Sequence, residues 1–184
     1  MGVGSLRILS IDEATRSGWS LMIDGNVIET GAIILEHESR RHRFLEYYHR
    51  LNKLVLLKSP DLLVIEEPKH QRNAKILRYL TGLYTVAHMV STKLNINAIE
   101  ANPKEVKRFI TGNGNASKHE VMEALIDKFN VRENLIYKPV YYKNESKGIK
   151  EFIYDESDAT ANGLYVYNNY SMAMSKLTDI IVGL

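Results

Sequence analysis

The chain has no cysteine, only four prolines and a single tryptophan among 184 residues. Without cysteine there is no disulfide, no zinc–thiolate centre and no thiol nucleophile, which suits a reducing compartment. No apolar run approaches the ~18 residues of a membrane span, and the N-terminus lacks the basic-then-apolar order of a signal segment. MGVGSL also fails as a myristoylation signal, because Leu6 stands where Ser or Thr is required. Neither sign of charge dominates: 24 Lys and Arg face 22 Asp and Glu, a net +2. Bulk charge alone therefore makes no case for a nucleic-acid partner. The length suits one domain, residues 1–184, with room for one insertion.

The distribution of charge says more. Basic residues gather at Arg40, Arg41 and Arg43, at Lys69, Arg72, Lys75 and Arg78, and at Lys104, Lys107, Arg108 and Lys118, while the acids are spread out. Such clusters are either solvated helix faces or phosphate contacts.

Apolar and β-branched runs predict strands over 6–11, 19–23 and 27–35, the last two joined by the turn sequence Asp24-Gly25-Asn26. Phe44, Tyr48, Leu51 and Val55 recur at helical spacing and predict a helix over 41–58, stopped by Pro60. The short apolar runs 62–65 and 96–99 read as central strands buried on both faces. Between them lies a long helical pattern, 73–94. Asn102-Pro103-Lys104-Glu105 opens a further helix, Thr111–Asn115 breaks it, and Ser117 with Glu120 forms a capping box for the next, which runs to about Phe129. From 130 to 152 the pattern dissolves into Lys, Tyr, Asn and Gly, read as an insertion or long loop, and a last helix covers about 156–175. Strands alternating with helices after an antiparallel meander predict an α/β fold with a mixed sheet.

Acids stand at three ends of these elements. Asp12 closes the first strand, Glu66 and Glu67 close the central one, and Asp155 and Asp158 lie three apart on one face of the last helix. Each has a plain alternative: a turn residue, an exposed strand end, a helix start favoured by the macrodipole. Together they suggest converging carboxylates, which a fold tolerates only with a cation between them or shared protons. Hard divalent cations prefer such oxygen ligands. Adjacent strand residues face opposite sides, so Glu13 and Glu67 are expected to point away from Asp12 and Glu66.

The stretches ILSIDEATRSGWSLMI, LLVIEEPKHQRNA, PKEVKRFITGNGNASKHEV and DESDATANGLYV occur in the order seen in RuvC-type Holliday-junction resolvases, which the chain resembles over about 6–129 and 154–167. The resemblance implies a ribonuclease H-like fold with a mixed five-stranded sheet flanked by helices. It implies that Asp12, Glu66, Asp155 and Asp158 hold two Mg²⁺ ions, for which Mn²⁺ can substitute. Lys107 and Lys118 match basic residues that the family sets at the DNA backbone and near the scissile phosphate. It also implies a homodimer, with the helix over 73–94 as the dimer element, acting on a four-way junction.

The expected activity is hydrolytic nicking of paired strands, with Lys118 joining the acids, leaving a 5′-phosphate and a 3′-hydroxyl. The alternatives are a broader nuclease of forks and flaps, and a junction-binding protein without catalysis. Candidate DNA contacts are Lys69, Lys75 and Arg78, then Lys104, Lys107, Arg108, Asn113 and Lys118, and in the insertion Lys138, Lys143 and Lys147, interleaved with Tyr137, Tyr141 and Tyr142. His70 is a possible phosphate contact or a lone surface histidine. Tyr48, Tyr79 and Tyr84 fit amphipathic patterns and need no functional account.

Three departures from the family stand out. Glu13-Ala14 replaces the usual Pro-Gly, no aromatic residue follows within a few positions of Glu66, and the segment 130–152 is long. A small chain with this insertion and no evident partner motif suits a bacteriophage, acting in the host cytoplasm.

Overall fold

A computed structural model describes residues 5–68, 73–136, 138–140 and 151–182. Turn chemistry builds its N-terminal meander. β1 (Arg7–Asp12) leads into β2 (Arg16–Ile23), and β2 into β3 (Asn26–Ile34) across Asp24-Gly25. Both turn residues take positive φ, 50° and 79°, as a two-residue turn between twisted antiparallel strands requires. The Asp24 carboxylate accepts the Leu6 N–H at 2.8 Å, tying the turn to the entry of β1.

After α1 (Arg40–Lys58) the chain returns as β4 (Leu62–Glu66), parallel to β1, and after α2 (Ala74–Leu94) as β5 (Asn97–Ala101), parallel to β4. The sheet order is β3-β2-β1-β4-β5, the mixed five-stranded sheet that the family resemblance implies. α3 (Pro103–Thr111) is capped by the Asn102 side chain, which accepts from the Lys104 and Glu105 N–H groups. α4 (Lys118–Phe129) carries the complete Ser117–Glu120 capping box.

Parts of the expected loop are regular. α5 (Glu133–Ile136) is held because Ile136 and Val131 are buried in the core shared by α3, α4 and α6, and β6 (Lys138–Val140) pairs antiparallel with β7 (Glu151–Ile153). The final helix, α6 (Asp155–Val182), starts one residue earlier and runs further than its pattern indicates. In α1 it is Tyr47, not Tyr48, that shares the fully buried face with Leu51 and Val55.

The sheet is packed on both faces. Ile8, Leu62 and Val64 face α3, α4 and α6, whereas Leu9, Ile11, Leu63 and Ile65 face α1 and α2. Each fully buried Leu or Ile contributes about 1.5–3 kcal/mol. This alternation decides where the acids go. Asp12 shares the parity of Ile8, and Glu66 that of Leu62 and Val64, so both fall on the α6 side. Ile11 pairs with Ile65 in the β1–β4 register, and one residue further Asp12 stands beside Glu66. Among the described residues no helix is long and apolar enough to cross a membrane.

Candidate active site

Asp12, Glu66, Asp155, Asp158 and Lys118 all line one cavity of ≈ 340 Å³, at the ends of β1 and β4 and the starts of α6 and α4. Lys118 Nζ stands 2.6 Å from Asp158 Oδ2. Burial pulls the Lys118 ammonium down, but Asp158 beside it, with Asp12 and Asp155 behind, outweighs that and holds it above its ordinary value. Lys118 is therefore a firmly charged cation inside a ring of acids.

Two side chains that the sequence reading passed over, Asn162 and Arg16, organise these acids. Asn162, buried in α6, donates its Nδ2 to Glu66 Oε2 at 3.1 Å. Arg16, at the start of β2, donates Nη1 to Asp155 Oδ2 at 2.7 Å and holds Glu156 with both nitrogens, at 2.7 and 3.1 Å. Burial lowers the Arg16 guanidinium, and the Glu156 and Asp155 bonds more than restore it. Tyr84, an α2 residue given no role above, lines the same cavity, with its hydroxyl bonded to Glu100. Burial, then Glu100, pushes that phenol up to about 12.

The expectation that Glu13 and Glu67 turn away needs correction, because both line this cavity. Each lies one residue beyond its strand, where pleat alternation no longer governs direction. Burial, then the Glu13 charge, raises the hydroxyl of Tyr47, a buried residue of α1. Glu13 itself is buried, its Oε1 has no hydrogen-bond partner, and burial followed by Asp12 and Glu66 raises its carboxyl well above the usual range. Glu67 Oε2 accepts from Asn102 Nδ2 at 2.7 Å.

The donor set is all carboxylate oxygen, which fits a hard divalent cation, and the buried Glu13 Oε1, without a hydrogen-bond partner, is a further oxygen of that kind in the cavity lining. Among the described residues no three acid or imidazole groups already close on one point. Asp155 and Asp158 are instead neutralised by Arg16 and Lys118.

The proposed DNA contacts divide into groups. Lys104 and Lys107 line a second cavity of ≈ 540 Å³ with Asn102, Gly114 and Asn115, and it shares Glu67 and Pro68 with the first. The Lys107 ammonium bonds the Ala116 carbonyl, bracing the loop between α3 and α4. Lys75, Arg78, Arg108 and Asn113 are exposed and line neither cavity. Lys138 pairs with Ile153 in the small sheet. Lys69, His70, Arg72, Lys143 and Lys147, with Tyr137, Tyr141 and Tyr142, lie outside the described residues.

The family described as crossover junction endodeoxyribonuclease RuvC matches residues 8–138. The chain belongs to this family. A RuvC of Prochlorococcus marinus (strain MIT 9312) is 28% identical over 144 residues, covering 73% of this chain and 87% of the relative. The fold is shared with Thermus thermophilus RuvC in complex with a Holliday junction substrate, at TM-score 0.66 and 13% identity, covering 90% of this chain and 96% of that one. It is shared also with the yeast mitochondrial Holliday junction resolvase Ydc2, at TM-score 0.65 and 15% identity, covering 88% and 78%. RuvC membership implies dependence on a divalent metal ion.

Proposed function

We propose that this chain resolves four-way DNA junctions by paired, symmetrical, metal-dependent nicks. The carrying observation is that four carboxylates from three separate elements meet Lys118 in one cavity of a RuvC-family fold. Asp12, Glu66, Asp155 and Asp158 are assigned as metal ligands, and Lys118 as the cation that meets charge developing on the phosphate. When bound, two Mg²⁺ ions, or Mn²⁺ in their place, supply activation of water and stabilisation of the leaving oxygen. Water adds to phosphorus, the P–O3′ bond breaks, and the ends are a 5′-phosphate and a 3′-hydroxyl.

Lys104 and Lys107, lining the adjoining cavity, are read as the nearest backbone contacts, with Lys75, Arg78, Arg108 and Asn113 further out. Lys69, Lys138, Lys143 and Lys147 are assigned by charge and position in the sequence. We read residues 1–184 as one nuclease domain in which the basic, tyrosine-rich 130–152 segment approaches the branch. A homodimer through α2 would present two such cavities to opposed strands, and α2 carries exposed Ile76 and Met89. The site of action is taken as the cytoplasm.

The test is cleavage of a labelled four-way junction beside fork, flap and linear duplexes of the same sequence. Paired nicks on the junction far in excess of the controls support resolution. Equal cutting of forks and flaps replaces it with general debranching, and binding without nicking replaces it with a non-catalytic role.

A further inference from the structure

Asp155 reaches the cavity from the first residue of α6, where helices ordinarily fray. A ligand there needs fastening, and β2 supplies it twice. At Gly18 a Cβ would overlap the Asp155 carbonyl, so the first turn of α6 rests directly on the strand backbone. Arg16, two residues earlier and hence on the same face of β2, grips that turn through its guanidinium. Its two nitrogens engage both oxygens of Glu156, whose side chain is fully buried, and Nη1 also holds Asp155 Oδ2. A planar fork anchored on a buried carboxylate has one orientation, so it offers Asp155 a fixed donor.

We propose that Arg16 is a positioning residue, using Glu156 as its anchor to hold the Asp155 carboxylate aimed into the cavity for the divalent cation. This rests on the metal-site reading above. The two roles open to Arg16 differ in sign. A guanidinium acting only as a nearby positive charge opposes cation binding, so removing it would tighten binding. A guanidinium that orients Asp155 favours cation binding, and disturbing it weakens binding.

The experiment is Mn²⁺ binding to the DNA-free protein, followed by electron paramagnetic resonance, for wild type, Arg16→Lys, Asp155→Asn and the double variant, with thermal melts of each. Lysine keeps the charge and loses the fork. The expected result is a folded Arg16→Lys protein with Mn²⁺ affinity roughly tenfold weaker, and no further loss when the same change is made on Asp155→Asn. Junction cleavage by Arg16→Lys is expected to recover in part as Mn²⁺ is raised.

Should Arg16→Lys fold poorly, Arg16→Met combined with Glu156→Leu removes the buried pair as a unit and carries the same expectation. Unchanged or tighter Mn²⁺ binding in these variants overturns the proposal, as does a loss that is equally large on Asp155→Asn. A wild-type protein that binds no Mn²⁺ overturns the metal site itself, and this inference with it.

Discussion

Asn162 Nδ2 donates to Glu66 Oε2 at 3.1 Å, so a buried amide of α6 orients the carboxylate at the end of β4. Groups that orient metal ligands typically matter by about 10–100-fold in affinity or activity. Asn162→Leu keeps the volume and loses the donor. Single-turnover junction cleavage is expected to fall by roughly that factor, with the protein still folded in a thermal melt. Undiminished cleavage would show that Glu66 needs no such partner.

Lys118 is the one cation of α4 that lines the acid cavity among the described residues. Lys118→Met leaves Asp158 without its ammonium and the phosphate without a neutralising charge. Cleavage is expected to drop about 10²–10³-fold while junction affinity in a gel-shift assay changes little, and Lys118→Arg is expected to recover part of the loss. A variant that loses affinity and cleavage together would make Lys118 a binding contact only.

Much of this was legible because strand ends and helix caps have local signatures. Asp12 and Glu66 follow from apolar runs that end in acids, and Ser117-Lys118-His119-Glu120 announces both a capping box and a lysine in its first turn. Asn162 carried a readable signal too: it lies four residues after Asp158, on the same face of α6, amid small and apolar residues. Arg16 was a lone charge opening an otherwise uncharged strand. What no local rule could give was the direction of Glu13 and Glu67, because pleat alternation stops with the strand. Nor could a run of lysines and tyrosines reveal β6 and β7, which are only three residues each and too short to show an alternating pattern.

The close seat of α6 on β2 makes Gly18 a sensitive position. In Gly18→Ala the new methyl meets the backbone of Asp155, which cannot swing aside as a side chain can. Overpacking of this kind costs on the order of 1–3 kcal/mol. Denaturant melts are expected to show that loss, and residual cleavage by the folded protein is expected to fall further than stability does. A variant with wild-type cleavage would mean the helix start shifts without consequence for Asp155.

The α4 capping box gives a pH dependence. The Ser117 backbone N–H, 2.7 Å from Glu120 Oε2, and then the Ser117 hydroxyl hold the Glu120 carboxyl below its ordinary value. A group whose value is lowered on folding adds stability above its unfolded value and loses it as pH falls through the folded one. Thermal melts of wild type and Glu120→Ala are therefore expected to differ at pH 7 and to converge as pH drops below about 4. The exposed pair is screened, so the gap is small and shrinks in high salt. A gap that persists unchanged in acid would assign it to helix propensity alone.

The most direct test of the acid cavity as a metal-dependent nuclease site is strand mapping on an end-labelled four-way junction with Mg²⁺, with Mn²⁺ and with EDTA, for wild type and Asp12→Asn. Paired nicks at symmetry-related positions with either ion, abolished by EDTA and by the substitution while junction binding persists, are the expected result. Nicks that survive EDTA, or an Asp12→Asn protein that cuts as wild type does, would contradict it.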